Sequence, residues 1–305
     1  MPEILFLGTS AAVPSKTRAT SCIAFRSGPD IILMDCGEGA QRQLMLSTFS
    51  FMKIRAILIT HLHGDHVFGL PGLLQTMSLS NRSEPVMVCG PVGTAKALDA
   101  IMSVTEGETQ YEVRVIEVSG GEEIDVKGMK IIPYPTEHGI ASVGYVIKDR
   151  DRPGNIDAEK AKSLGITSGK EMGMLKSGKT VRGVRPSDVV SPPTEGYRIA
   201  YSGDTVPCKS ETEAIRNVDV LIHESTYMDV ESQQAEDHFH TTAKQAAEIA
   251  SEAGVGSMIL THLSNRYDDH EKVRAEAASV FEKTFVADDM HLYELSSKGL
   301  RLKSY

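Results

Sequence analysis

The heptapeptide Thr60-His61-Leu62-His63-Gly64-Asp65-His66 narrows the fold more than any other stretch of the chain. His61, His63, Asp65 and His66 are all metal-ligand side chains, and they directly follow the apolar run Ile54 to Ile59. That run is short and rich in Ile and Leu, the composition of a buried strand. Beyond the cluster, Val67, Leu70, Leu73, Leu74 and Met77 recur at helical spacing. The cluster therefore belongs to a strand-to-helix loop. Imidazoles with a carboxylate suit zinc or a similar divalent ion. An extended chain would send His61 and His63 to opposite faces. They share an ion only if the strand has already broken into a turn, which Gly64 permits. Asp65 and His66 then point elsewhere, toward a second ion. A plain polar turn after a core strand accounts for any one of these residues, but not readily for the whole set.

This unit resembles the signature of the metallo-β-lactamase superfamily. The resemblance implies an α/β fold, a four-layer αβ/βα sandwich with metals at one edge of two sheets, here as a single domain over residues 1–305.

The bulk properties agree with a globular chain: 41% apolar and 24% charged residues over 305 positions. The start of the sequence lacks a basic region followed by a long apolar run, so no signal peptide is expected. No apolar stretch approaches the roughly 20 residues of a spanning helix, and no membrane association is expected. Cys22, Cys36, Cys89 and Cys208 are scattered and read as buried thiols in a reducing compartment, hence a cytoplasmic protein. A net charge of −9 argues against indiscriminate nucleic-acid binding, although local patches can differ.

Strands are expected at Ile4 to Leu7, Ser21 to Arg26, Ile31 to Met34, Val86 to Cys89, Glu112 to Val118, Met129 to Tyr134, Tyr197 to Tyr201, Val218 to Ile222 and Met258 to Thr261. A helix is expected from about Gly93 to Val104. The loop after the first strand carries Lys16 and Arg18, candidate phosphate contacts. Asp35, at the end of a buried strand, is a candidate cap or a support for metal-bound histidines. Thr242 with Gln245 forms a capping box, and Gly254 closes the helix it opens. Asp268 and Glu271 cap a last helix with Val273, Ala277, Val280 and Phe281 inward. The tail from His291 to Tyr305 reads as one or two closing strands. Met258-Ile259-Leu260-Thr261-His262 echoes Leu58-Ile59-Thr60-His61, as if two halves deliver ligands from equivalent edges.

Residues 148 to 190 differ in character. They hold ten Lys/Arg and six Asp/Glu, a net of +4, which leaves −9 − 4 = −13 for the remainder. With few core candidates and only a short helix near Asp157 to Leu164, the segment reads as an insertion, a basic arm at about 149–193 that projects from the body. Lys170, Lys176 and Lys179 are its candidate contacts to a polyanion. An inert loop is the alternative.

Several motifs resemble one branch of the superfamily, the ribonuclease Z family. Pro14, Lys16 and Arg18 match its P-x-K-x-R-N loop, with Ala19 where Asn is usual. Asp35-Cys36-Gly37-Glu38-Gly39 and Gln41 match D-C-G-E-G-T-Q, with Ala40 for Thr; His223-Glu224-Ser225-Thr226 matches H-E-A-T; His240-Thr241-Thr242 matches H-S-T. The resemblance spans about residues 3 to 300. It implies two Zn2+ per subunit, one on His61, His63 and His138, the other on Asp65, His66 and His262, with Asp204 between them. It implies cleavage of precursor tRNA near the discriminator base, leaving a 3′-hydroxyl on the tRNA and a 5′-phosphate on the trailer. It further implies a homodimer in which one subunit's arm serves the other's site.

Two ions about 3.5–4 Å apart can hold a hydroxide and clamp a phosphoryl oxygen. Asp65 is the candidate general base. His240, with Glu224 beside it, is the candidate acid for the leaving alkoxide. A helix N-terminus would lower the pKa of His240, and a carboxylate would raise it. Two rivals remain. One is a superfamily hydrolase of thioesters, lactones or small phosphodiesters, which would need neither the basic segment nor Lys16 and Arg18. The other is a catalytically dead RNA-binding subunit, which would not need the intact ligand set.

Overall fold

A computed structural model of the chain describes residues 1–104 and 108–303. The strands are β1 (Glu3–Gly8), β2 (Cys22–Ser27), β3 (Asp30–Met34), β4 (Ile54–Leu58), β5 (Val86–Pro91), β6 (Val113–Val118), β7 (Ile124–Val126), β8 (Met129–Pro135), β9 (Val143–Lys148), β10 (Arg198–Tyr201), β11 (Val220–Glu224), β12 (Met258–Thr261), β13 (Thr284–Val286), β14 (Leu292–Ser296) and β15 (Gly299–Lys303). They form two sheets, ordered β15-β14-β1-β2-β3-β4-β5-β6 and β13-β12-β11-β10-β9-β8-β7. The first is antiparallel from β15 to β3 and parallel from β3 to β6. In the second, β10 to β13 run parallel.

Both faces of the central strands are buried, which is why they read as unbroken apolar runs and not as alternation. In β1, Leu5 and Leu7 pack with Leu44, Leu73 and Leu74 from the helices Ala40–Leu46 and Leu70–Leu79. Ile4 and Phe6, on the opposite face by the two-residue period, are equally buried. Phe6 meets Tyr293 edge-on at 5.7 Å, and Tyr293 meets Phe285 of the second sheet at 5.8 Å. On the far face of the second sheet, Ala243, Ala246, Ala247 and Ala250 of the helix Ala243–Ala253 pack on Leu221, Met258 and Leu260. Helix, sheet, sheet, helix is the expected four-layer order.

The capping box of Thr242 with Gln245 is present, and Gly254 closes that helix at φ 65°. The last helix, His270–Ala278, is capped by Asp269, not Asp268; Val273 and Ala277 are buried, but Val280 is 38% exposed because the helix has already ended. The closing hairpin β14–β15 lies within the expected tail, whose residues 304–305 fall outside the described ones. No helix among the described residues is long and apolar enough to cross a membrane. All four cysteines are free and buried.

Residues Lys148–Tyr197 form a second compact unit. Its two limbs are pinned by the bridges Arg152–Thr194 and Ile156–Val190. The expectation of few core residues needs correction. Ala161, Ile166, Leu175, Val181, Val184 and Val189 form a small buried cluster under the helices Ala158–Ser163, Gly169–Lys176 and Pro186–Val189. These apolar residues are spaced by turns and not by a helical period, so they do not stand out in the sequence. Lys170, Lys176 and Lys179 are exposed on this unit.

Candidate metal centre and active site

The ligand candidates follow the ends of strands from both sheets. β4 runs into Thr60-His61, β8 into His138, β10 into Asp204, β11 into Glu224 and β12 into His262. After His61 the strand breaks, and Asp65 and His66 sit in the first turn of a short helix, Gly64–Val67. Gly64 does not serve a left-handed turn, and the side chain closest to it is the exposed Phe68. A Cβ there would lie 2.2 Å from the Phe68 ring, and Gly64 is not among the positive-φ glycines. Gly203 is needed for both backbone conformation and space, with φ 62° and a would-be Cβ 2.6 Å from Cβ of Thr60.

The ligand candidates converge in groups whose donor atoms lie within 4.8 Å of one another: His61, His63 and His138; Asp65, His66 and His262; and His61, His66 and Asp204. His61 Nε2 lies 3.0 Å from His63 Nδ1, and His138 Nε2 lies 3.3 Å from the same atom. Asp65 Oδ2 lies 3.4 Å from Nε2 of both His66 and His262. Asp204 Oδ2 is 3.7 Å from His61 Nε2 and 3.5 Å from Nε2 of both His66 and His262, a central position between the two histidine groups.

The other ring nitrogens are held from behind. His66 Nδ1 meets Asp35 Oδ2 at 2.7 Å, His61 Nδ1 meets Thr60 Oγ1 at 3.1 Å, His138 Nδ1 meets the Phe239 carbonyl at 2.9 Å, and His262 Nδ1 meets Thr226 Oγ1 at 2.9 Å. Asp35 also accepts from Thr60 N–H and Thr60 Oγ1 and from the Tyr201 hydroxyl. It is therefore a support for two histidines and not a helix cap. Thr60, Tyr201 and the backbone of Phe239 were not legible as functional; a hydroxyl residue next to a ligand histidine was the available signal. The backbone bends sharply here. Ala12, Asp35, Phe239 and His262 all have positive φ, 54–59°, and left-handed non-glycine residues cost about 1–3 kcal/mol each unless the surroundings hold them.

The donor set fits metal ions. His66 Nε2 and Asp204 Oδ1 are buried with no hydrogen-bond partner, an arrangement that is costly without a cation. Burial, with neighbouring imidazoles, pushes His61 well below the ordinary histidine value, and burial also lowers His63; both are thereby kept in the neutral form that ligates. Burial would raise Asp65 and Asp204, but the surrounding histidines outweigh it and hold both carboxyls ionised. At His66 burial opposes the charge, yet Asp204 and Asp35 raise the pKa well above the usual value. That field favours any cation at this point.

His240 Nδ1 lies 2.8 Å from Glu224 Oε1 and 4.0 Å from Asp204 Oδ2. Burial lowers the His240 pKa, the Glu224 carboxylate raises it more, and the result is about 9. Glu224 is fixed by Thr205 N–H at 3.0 Å and by Thr226. His223 points away, its Nε2 3.2 Å from buried Glu211. In the loop after β1, Lys16 is exposed, but Arg18 is buried. The reading of Arg18 as a phosphate contact needs correction. Its guanidinium donates to Thr9 Oγ1, the Thr9 carbonyl and the Leu263 carbonyl, so it braces the loop. At Ala19 the backbone N–H donates to Asp289 Oδ2 at 2.7 Å. A cleft of about 790 Å³ opens onto His63, Asp65, His138, Asp204, His240 and His262, with Phe68, Tyr227 and Arg266 on its walls.

Two stacked sheets with this histidine–aspartate cluster at their common edge define a hydrolase of the metallo-β-lactamase fold. A family profile described as a beta-lactamase superfamily domain matches residues 179–263, and one described as anti-Pycsar protein Apyc1 matches residues 2–151. Ribonuclease Z of Methanothermobacter thermautotrophicus is 40% identical over 97% of this chain and 98% of its own length. Ribonuclease BN of Escherichia coli is 37% identical over 96% of this chain and 100% of its own. The human tRNase Z short form superimposes with a TM-score of 0.71 at 27% identity, covering 96% of this chain and 99% of that one. The chain belongs to the ribonuclease Z family.

Proposed function

We propose that the protein is the endoribonuclease that removes the 3′ trailer of precursor tRNA, using two Zn2+ per subunit. The observation that carries this reading is the placement of His240 on the cleft, 4.0 Å from Asp204, with buried Glu224 holding it at 2.8 Å. A small-molecule hydrolase needs no basic second unit.

His61, His63 and His138 would hold one ion and Asp65, His66 and His262 the other, with Asp204 between the two groups. When bound, the ions supply an ionised water near neutral pH and offset phosphoryl charge. Asp65, anchored by the Ala12 N–H at 3.0 Å, would take a proton from the attacking water. The water oxygen bonds to phosphorus as the bond from phosphorus to the tRNA 3′-oxygen breaks; the trailer keeps the phosphate, and His240 gives its proton to the departing 3′-oxygen. Glu224 keeps His240 charged and aimed. Lys16 and the exposed Lys170, Lys176 and Lys179 contact the RNA backbone, which would be recognised by shape more than by base edges.

The working form in this reading is a cytoplasmic homodimer. Met45 and Leu46 are 56% and 57% exposed on the helix Ala40–Leu46, and Leu79 is 85% exposed on Leu70–Leu79, apolar positions that a second copy could cover. Asp65→Ala tests the chemistry: cleavage of precursor tRNA should be abolished while tRNA binding and folding persist. Normal turnover by this variant would remove Asp65 from the mechanism.

A further inference from the structure

Thr226 does two jobs with one hydroxyl. Its Oγ1 lies 2.9 Å from His262 Nδ1, 2.5 Å from Glu224 Oε2, 3.3 Å from His240 Nδ1 and 3.3 Å from the His262 carbonyl. A threonine hydroxyl has one proton to give. The ionised, much closer Glu224 oxygen takes it, since a charge-assisted bond outcompetes a long bond to a carbonyl. His262 Nδ1 can then be satisfied only by donating its own proton to Thr226. That fixes the tautomer of His262, and leaves its Nε2 lone pair facing Asp65 and Asp204. Glu224 uses its other oxygen, Oε1, for His240 Nδ1 at 2.8 Å.

The opposite half of the site repeats the pattern. Asp35 holds His66 directly and Thr60 through its hydroxyl, and Thr60 holds His61. The same proton count gives His61 an Nδ1–H and a free Nε2. Each half thus has one carboxylate serving two imidazoles, one directly and one through threonine. In the Asp35 half both imidazoles are ligand candidates. In the Glu224 half one is a ligand candidate and the other is the acid.

We infer that Thr226 is a positioning residue that couples the hold on the second metal ion to the orientation of the acid His240. The coupling runs from His262 through the Thr226 hydroxyl to Glu224 and so to His240. The assignment of ions and acid rests on the function proposed above, but the coupling concerns metal affinity and a tautomer, which can be read without tRNA.

The test compares Thr226→Val, of equal shape but without the hydroxyl, with Thr226→Ser, which keeps it. The affinity of each full-length protein for Zn2+ is measured by competition with a chromophoric chelator. Loss of such an outer partner of a metal histidine costs about 10–100-fold in affinity. Thr226→Val should lose that much at one of two sites, and Thr226→Ser should stay near wild type. Glu224→Ala should weaken the same site, with no further loss in the double variant. Nitrogen-15 NMR of histidine in the zinc-loaded wild type, which needs no folded variant, should show His262 protonated at Nδ1 and ligated through Nε2. Wild-type zinc affinity in Thr226→Val, additive losses in the double variant, or His262 ligated through Nδ1 would overturn the coupling. Failure to cut tRNA with the zinc results as expected would instead overturn the functional reading alone.

Discussion

His240 and Glu224 sit where a protonation state decides the outcome. The pair at 2.8 Å places the His240 pKa at about 9 against an ordinary 6.5. The folded value is the raised one, so the pair's contribution to stability is complete below 6.5 and is lost as the pH climbs through about 9. Cleavage should follow the same limb, falling as the pH rises past about 9, and Glu224→Gln should move that fall toward 6.5 in a pH–rate profile. A limb that stays in place would detach Glu224 from the acid. His240→Ala should slow single-turnover cleavage by about 10²–10⁴, while substrate binding changes little. Much of this was legible: His61, His63, Asp65, His66, His138, Asp204 and His262 are all found at one edge, as their strand-end positions suggested. The direction of the His240 shift was not, since a helix start and a carboxylate pull oppositely and only distance decides. Arg18 was misread because a buried cation and a surface cation look alike in a sequence.

The elements matter because β3, β4, β8, β10, β11 and β12 each end at or just before a functional side chain. The turn at Gly203 combines a positive φ with the Thr60 side chain packed against it. Gly203→Ala should destabilise the fold by roughly 1–3 kcal/mol, read by urea unfolding, and should also weaken metal binding by displacing Thr60 and Asp204. Unchanged stability would mean the turn has slack that the close approach does not suggest. Strands such as β4 and β12 were readable because burial on both faces makes them continuous apolar runs. β7, β9 and β13 were not singled out. β7 and β13 have three residues each and lie at sheet edges, too short for a period to register. β9, Val143–Lys148, holds a glycine and a tyrosine that break its apolar run; Gly144 is there because a Cβ would strike the Tyr134 ring at 2.2 Å. The helix cap fell one residue late for a simple reason: Asp268 and Asp269 are adjacent, and either could cap.

At the scale of the molecule, charge is divided. The +4 segment stands against −13 elsewhere, and the exposed Lys170, Lys176 and Lys179 belong to a unit with its own small core. If that unit grips RNA, deleting residues 153–185 should weaken precursor-tRNA binding and flatten its salt dependence, yet spare hydrolysis of a small phosphodiester. Equal losses on both substrates would make the unit a structural element instead. The four-layer order was legible only through the superfamily resemblance that the metal cluster carries, because strand runs by themselves do not say how sheets and helices stack. The compactness of residues 148–197 was not, because its core is assembled from turns.

The measurement that bears most directly on the whole account is incubation of the purified protein with a 3′-extended precursor tRNA, with and without a chelator, followed by mapping of the product ends. The account predicts a single chelator-sensitive cut at the discriminator base, with a 3′-hydroxyl on the tRNA and a 5′-phosphate on the trailer. An uncut precursor, from protein that binds metal and hydrolyses a small phosphodiester or thioester instead, would contradict it.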